Sequence, residues 1–276
     1  MLSAMTPPAQ SFASRTLITG ASSGIGEALA LALAAPGATL HLSGRDPTRL
    51  DRVAAACRQR GATVHPAVLD VRDTAAMAAW IAAAGPLDLV VANAGISSQS
   101  AGQGPERPAQ AREIFAVNLG GVLNTVGPAI ERMAAQPPGT DGTRGRIAVI
   151  ASIAAFIAVP GGAAYCASKA AVDAWTVAMA PTLRRQGIAV TSVCPGYIRT
   201  AMTARNRFPM PGLMNADRAA RIILRGVAAG RVRVTFPWWM GVAARLGALL
   251  PPRLVGSVIE KQGNQAPDAA SRQEES

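Results

Sequence analysis

Two side chains near the middle of this 276-residue sequence are spaced for proton chemistry. Tyr165 and Lys169 stand four residues apart, so a helix places them on one face. A phenol titrates at about pH 10 and is a poor acid–base group at neutral pH. A nearby ammonium favours the phenolate and draws the group toward catalytic range. Such a pair by itself is more often a solvated helix face, so its meaning depends on what surrounds it.

A second chemical feature lies near the N-terminus, in Thr19-Gly20-Ala21-Ser22-Ser23-Gly24-Ile25-Gly26. An apolar run precedes it and an Ala/Leu-rich run follows. Gly20 permits a tight turn, Gly24 lets a dinucleotide backbone approach, and Gly26 lets the following helix pack near the sheet. The helix N-terminus then faces a pyrophosphate. A third feature is Ser43-Gly44-Arg45. An acidic side chain there would bind a ribose 2′-hydroxyl and repel a 2′-phosphate. Here Gly44 takes that position and the Arg45 guanidinium follows, which favours NADP(H) over NAD(H). Asp46 reads as a helix N-cap followed by Pro47.

These residues must be positioned by a regular frame. Apolar strand runs are expected at Arg15–Thr19, Thr39–Ser43, Thr63–Leu69, Leu87–Ala92, Arg146–Ala151, Ala189–Cys194 and Val232–Phe236. Helices are expected at Ile25–Ala35, 47–60, Asp73–Ala84, Pro108–Ala135, Ala163–Gln186 and Ala216–Ala229. Continuous apolar strands alternating with helices imply an α/β, doubly wound, Rossmann-type fold. It has a mainly parallel seven-stranded sheet with helices on both faces. The domain reading is a flexible N-terminus at 1–14 and a single catalytic domain at 15–236, with a substrate lid at about 199–215. An amphipathic extension follows at 237–261, then a disordered tail at 262–276. The N-terminal segment does not read as a signal peptide, and no spanning helix is expected.

The ordered motifs resemble those of the short-chain dehydrogenase/reductase family over Thr16 to about Phe236. They are the turn Thr19–Gly26, Leu69-Asp70-Val71, Asn93-Ala94-Gly95, Asn118, Ser152, Tyr165 with Lys169, and Pro195-Gly196…Thr200. The resemblance implies that Gly20, Ser22, Ser23, Gly24, Ile25, Gly26 and Arg45 hold the cofactor, with Asp70 and Val71 bordering the adenine. By the same resemblance Asn93 braces the sheet, while Ala94 and Gly95 lie beside the cofactor. Ser152 would bind the substrate carbonyl oxygen and Tyr165 would exchange the proton. Lys169 would hold the nicotinamide ribose and lower the phenol's pKa. Asn118 would kink its helix and carry a water linking Lys169 to solvent. Pro195, Gly196, Ile198 and Thr200 would line the nicotinamide. The implied activity is an NADP(H)-dependent interconversion of an alcohol with a ketone or aldehyde. A non-catalytic binding or scaffold protein on the same fold is the alternative. The glycine-rich C-terminal ending common in the family's 3-oxoacyl-carrier-protein reductases is missing, which lowers that reading.

The net charge of +11 is uneven. Residues 199–261 hold eleven basic and two acidic groups. Within them, Trp239, Val242, Ala243, Leu246, Leu249 and Leu250 recur at helical spacing, and Leu254, Val255, Val258 and Ile259 resume the pattern. Met202, Phe208, Met210, Leu213 and Met214 stand among Arg205 and Arg207. The expected partners are a hydrophobic carbonyl or alcohol substrate and further copies of the chain, as a dimer or tetramer. An anionic membrane surface touching 199–261 is carried as a sharper alternative to a subunit interface or a packed cap. No aromatic-interleaved basic groove appears, so nucleic acid is not expected. Cys57, Cys166 and Cys194 have no motif spacing, and His41 and His65 are far apart in sequence. That predicts reduced thiols, no metal site and a cytoplasmic setting, peripheral to a membrane if the sharper alternative holds.

Overall fold

The computed structural model describes residues 14–97, 106–159, 161–205 and 209–250. Residues 1–13, most of the lid tip including Phe208, the second half of the amphipathic extension and the tail lie outside them.

Seven strands form one parallel sheet: β1 (Arg15–Ile18), β2 (Thr39–Gly44), β3 (Thr63–Val68), β4 (Leu89–Ala92), β5 (Gly145–Ile150), β6 (Ile188–Pro195) and, last in the chain, β9 (Arg233–Phe236). Their spatial order is β3-β2-β1-β4-β5-β6-β9. The central strands β4 and β5 are buried at every position, which is why they read as unbroken apolar runs. At the edge, β3 carries Pro66, whose missing N–H costs least there. The two short strands β7 (Ile198–Arg199) and β8 (Met214–Asn215) pair separately and anchor both ends of the expected lid.

Helices α1 (Gly24–Leu33), α2 (Pro47–Gln59) and α7 (Ala216–Ala228) belong to one face of the sheet. Leu29, Leu33, Leu42, Val53, Ile223 and Leu224 form its core. Helices α3 (Thr74–Ala83), α5 (Gly121–Ala135) and α6 (Ala163–Arg185) cover the other face through Met77, Ile81, Val126, Met133, Val172 and Leu183. Asp46 caps α2 as expected, accepting a 3.0 Å bond from the Arg49 amide.

The expected single helix 108–135 is divided. Helix α4 (Pro108–Phe115) runs into a π-helical turn at Ala116–Gly120 before α5 begins. The run is long and apolar enough for a membrane span by composition alone. Here it is a crossover that buries Ile114, Val117, Val122, Val126 and Met133 against the domain.

The extension begins with α8 (Trp238–Gly247). Gly241 and Ala244 face inward, and a Cβ at Gly241 would come within 2.3 Å of Thr235 Cγ2. The small residues therefore set the packed side. Trp239, Val242, Ala243, Leu246, Leu249 and Leu250, which share one apolar side in sequence, are all left exposed.

His41 and His65, distant in sequence, are register partners on β2 and β3 with rings stacked 4.9 Å apart. All three cysteines are buried and unpaired.

Candidate active site

The order of strands reverses between β1 and β4, and in a sheet of this kind the binding crevice lies beyond the carboxyl ends at that point. The turn after β1 enters this crevice. Gly20 has φ +65°, and a Cβ there would lie 2.8 Å from Ala94 Cα. A Cβ on Gly26 would lie 2.3 Å from the Gly20 carbonyl oxygen. One glycine permits the turn and the other lets α1 start directly against it. Asn93 fastens the arrangement by donating from Nδ2 to the carbonyl oxygens of Thr19 and Gly20, both at 3.0 Å. Thr19 completes the brace: its Oγ1 accepts from the Asn93 and Ala94 amides at 3.0 and 3.2 Å. Nothing in the sequence around Thr19 signals this task, which needs Asn93 beside it.

Ser23 is the N-cap of α1 but makes no side-chain capping bond, and Ile25 opens the helix behind it. The first-turn amides of α1 therefore keep their donor capacity toward the crevice. Thr200, arriving from β7, covers the turn from above; a Cβ on Gly24 would approach its Cγ2 to 2.9 Å. Together these residues leave a cradle, bounded by backbone and a helix N-terminus, that suits a pyrophosphate.

At the end of β2, Gly44 lies against Ser22, whose Oγ would be 3.1 Å from an added Cβ. Arg45 is exposed and makes no hydrogen bond to protein among the described residues. Asp70 is held by Arg72, through bonds of 2.6 to 3.0 Å, and its carboxyl is lowered first by that contact. Val71 is buried beside it. Asp70 thus presents a carboxylate already committed to Arg72 just beyond the end of β3.

Ser152 follows β5 and caps a short 3₁₀ turn, Ile153–Phe156, accepting a 3.1 Å bond from the Ala154 amide. Tyr165 is half-buried in the first turns of α6. Burial pushes its phenol above the ordinary value, while a hydrogen bond with Ser152 opposes that rise. The buried Lys169 donates from Nζ to the Ile150 carbonyl oxygen at 2.7 Å. Burial brings its ammonium down to about 8. Its Nζ lies 5.9 Å from the centre of the Tyr165 ring. The ammonium is thus engaged by the Ile150 carbonyl, and burial is the largest influence on the phenol.

Asn118 sits in the π-helical turn that separates α4 from α5. Its Oδ1 accepts from the Ile96 amide at 2.8 Å, and its Nδ2 donates to the Ile96 carbonyl at 2.9 Å and to Ser168 Oγ at 3.1 Å. Ser168 in turn donates to the Tyr165 carbonyl at 2.8 Å. Ser168 was missed in sequence, because only the fold shows that its helix position faces Asn118. A Cβ on Gly95 would lie 3.3 Å from Asn118 Oδ1 and 3.4 Å from Lys169 Nζ, so Gly95 keeps this corner open.

Beyond β6, the Gly196 amide donates to the Phe236 carbonyl at 2.7 Å, and Ile198 is buried in β7. Thr203 ties the segment down, donating to the Ile198 carbonyl at 2.6 Å and accepting from the Thr200 amide at 3.0 Å. Pro195, Gly196, Ile198 and Thr200 thus lie on one stretch that leaves β6 and reaches back over Gly24.

The crevice combines an anion cradle, a phenol beside a hydroxyl, and a buried amine. Comparison with known proteins agrees. The family model described as short chain dehydrogenase matches residues 14–209. An oxidoreductase of Myxococcus xanthus is 35% identical over 251 residues, covering 89% of this chain and 96% of that protein. The Mycobacterium tuberculosis protein described as a probable oxidoreductase, EphD, is 38% identical over 200 residues; the match covers 71% of this chain and 33% of that longer protein. The crystal structure of a 3-ketoacyl-ACP reductase from Sinorhizobium meliloti superposes with a TM-score of 0.69 at 30% identity, covering 83% of this chain and 99% of that one. The chain belongs to the short-chain dehydrogenase family. It is an oxidoreductase of that family, built for a nicotinamide dinucleotide and a small-molecule substrate.

Proposed function

We propose that this protein is an NADP(H)-dependent oxidoreductase that interconverts an alcohol with a ketone or aldehyde on an apolar substrate. Tyr165 is its general acid and base. The observation that carries this reading is the meeting of Ser152 and Tyr165 at the mouth of the crevice, with Lys169 one helical turn behind.

Gly20, Ser22, Ser23, Gly24, Ile25 and Gly26 would hold the pyrophosphate, and Val71, Asn93, Ala94 and Gly95 would flank the nucleoside. Pro195, Gly196, Ile198 and Thr200 would line the nicotinamide. The nicotinamide, when bound, supplies or accepts the hydride. The protein handles the proton. In the reducing direction Ser152 donates a hydrogen bond to the carbonyl oxygen and the Tyr165 phenol gives it a proton. In the oxidising direction the phenolate removes the alcohol proton. Lys169 and Asn118 form the buried polar layer behind the phenol, through Ile150, Ile96 and Ser168. A bound ribose would give Lys169 a second partner.

NADP(H) is favoured because Arg45 is exposed and makes no hydrogen bond among the described residues, where Gly44 replaces an acid. A guanidinium there suits a 2′-phosphate. Met210, Leu213 and Met214, on the stretch that follows β7, would give an apolar substrate flexible contacts. The buried, unpaired cysteines fit a reducing, cytoplasmic setting. The test is absorbance at the reduced-nicotinamide band, with NADPH or NADH and a panel of apolar ketones and aldehydes. NADPH-dependent turnover with at least one apolar carbonyl is expected. No turnover across the panel, or a preference for NADH, contradicts the reading.

A further inference from the structure

The outer face of α8 serves neither the sheet nor the crevice. Trp238, Val242, Leu246 and Leu249 follow one another every three or four residues and are 74%, 46%, 60% and 81% exposed. Neighbouring Trp239, 43% exposed, also forms a wall of an open cleft of about 700 Å³. Arg199, Arg218 and Arg221 line that cleft, with Asp217 the one acid on its walls. Arg218 and Arg221 stand on the exposed side of α7, three residues apart. Arg199 reaches only Asn215 Oδ1, at 3.3 Å, among the described residues.

We propose that this continuous surface docks on an anionic lipid bilayer. The apolar face of α8 enters the headgroup boundary, and the arginine cleft beside Trp239 receives lipid phosphates. A helix with tryptophan and leucine outward, flanked by guanidinium groups, has the composition of an interfacial anchor. The arginine fork matches phosphate oxygens. Charge complementarity chooses this occupant: residues 199–261 carry eleven basic and two acidic groups, so the region repels cations and attracts an anionic surface. A second copy fits less well. A two-fold contact through this patch would set the arginine cleft close to its own image.

The position relative to the catalytic crevice adds a consequence. Arg245 of α8 lies over the Phe156 ring at 3.8 Å, and Phe156 ends the turn that Ser152 caps. Met240 lies against Gly196, whose added Cβ would be 2.9 Å from its sulfur. A docked bilayer would therefore lie alongside the end of the crevice where an apolar substrate enters. Docking itself is read by vesicle binding and does not depend on the catalytic reading.

The test is flotation of the full chain with vesicles of phosphatidylcholine alone, and of phosphatidylcholine with phosphatidylglycerol. Binding to the anionic vesicles is expected, with little to the neutral ones, and it falls as salt rises. Trp238→Ser and Leu246→Ser should each weaken binding about tenfold, as expected for an apolar side chain no longer buried. Arg218→Ala and Arg221→Ala should each weaken it about fivefold. Unchanged melting temperatures establish that these surface variants fold. Equal recovery in the soluble fraction with and without anionic lipid overturns the proposal. So do variants that float as well as wild type, or a chain that sediments as a dimer broken by Trp238→Ser and ignores vesicles.

Discussion

Lys169 donates a 2.7 Å hydrogen bond to the carbonyl oxygen of Ile150, two residues before Ser152. This bond joins α6 to the end of β5, and so fixes the helix that carries Tyr165 against the strand that leads to Ser152. It also keeps an ammonium in a dry place, which lowers its pKa to about 8.

The burial has a measurable signature in stability. The pKa of Lys169 is lowered on folding, so between about 8 and 10.5 the unfolded chain binds more protons than the folded one. Stability contributed by this group therefore rises with pH across that window. Below it, Lys169 is charged in both states and the burial penalty is complete. Relative to wild type, Lys169→Met should have its most favourable melting temperature near pH 7 and lose that relative advantage as pH passes 10.5. Thermal melts of both proteins across this range check the sign; a difference that does not change with pH contradicts it.

The direction of catalysis should respond to pH through Tyr165. Burial holds its phenol above the ordinary value, so the acid form needed for carbonyl reduction is present through neutral pH. Alcohol oxidation needs the phenolate and should rise with pH. Paired kcat/KM profiles in the two directions check this. An oxidation profile that is flat into the alkaline range contradicts it.

Arg45→Ala should raise KM for NADPH by about 10- to 100-fold, the range expected when a charge-assisted hydrogen bond is lost. KM for NADH should stay within error of wild type. Equal changes for both cofactors would mean that Arg45 does not read the 2′-phosphate.

The two glycines at the start of α1 should fail differently. At Gly26 a Cβ meets the Gly20 backbone, which cannot retreat, so Gly26→Ala should abolish cofactor binding. At Gly24 the steric obstacle is the Thr200 side chain, and φ is +60°. Gly24→Ala adds about 1–2 kcal/mol of left-handed strain to that contact. Thr200→Ala in the same chain should restore part of the binding lost in Gly24→Ala and none of that lost in Gly26→Ala. Cofactor titration by fluorescence measures all four chains.

Much of this molecule was legible in the sequence, because its central strands are buried on both faces and several helices begin at a side-chain cap or a glycine turn. The seven-stranded sheet and the Asp46 cap both derive from local signals. What was not legible depends on contacts between distant segments. The Thr19 brace needs Asn93 beside it, and Ser168 needs Asn118 across the helix pair. The engagement of Lys169 by Ile150 needs β5 behind α6. The orientation of α8 was also hidden. Periodicity located its apolar face, but Gly241 and Ala244 decided that the face points outward.

The central claim is that the Tyr165 hydroxyl moves the proton, and replacing it by hydrogen tests that most directly. In Tyr165→Phe, NADPH-dependent reduction of an accepted ketone should fall by about 10²- to 10⁴-fold, the usual contribution of a general acid. NADPH binding by fluorescence titration should remain. Turnover that survives the substitution, with binding intact, would contradict the account.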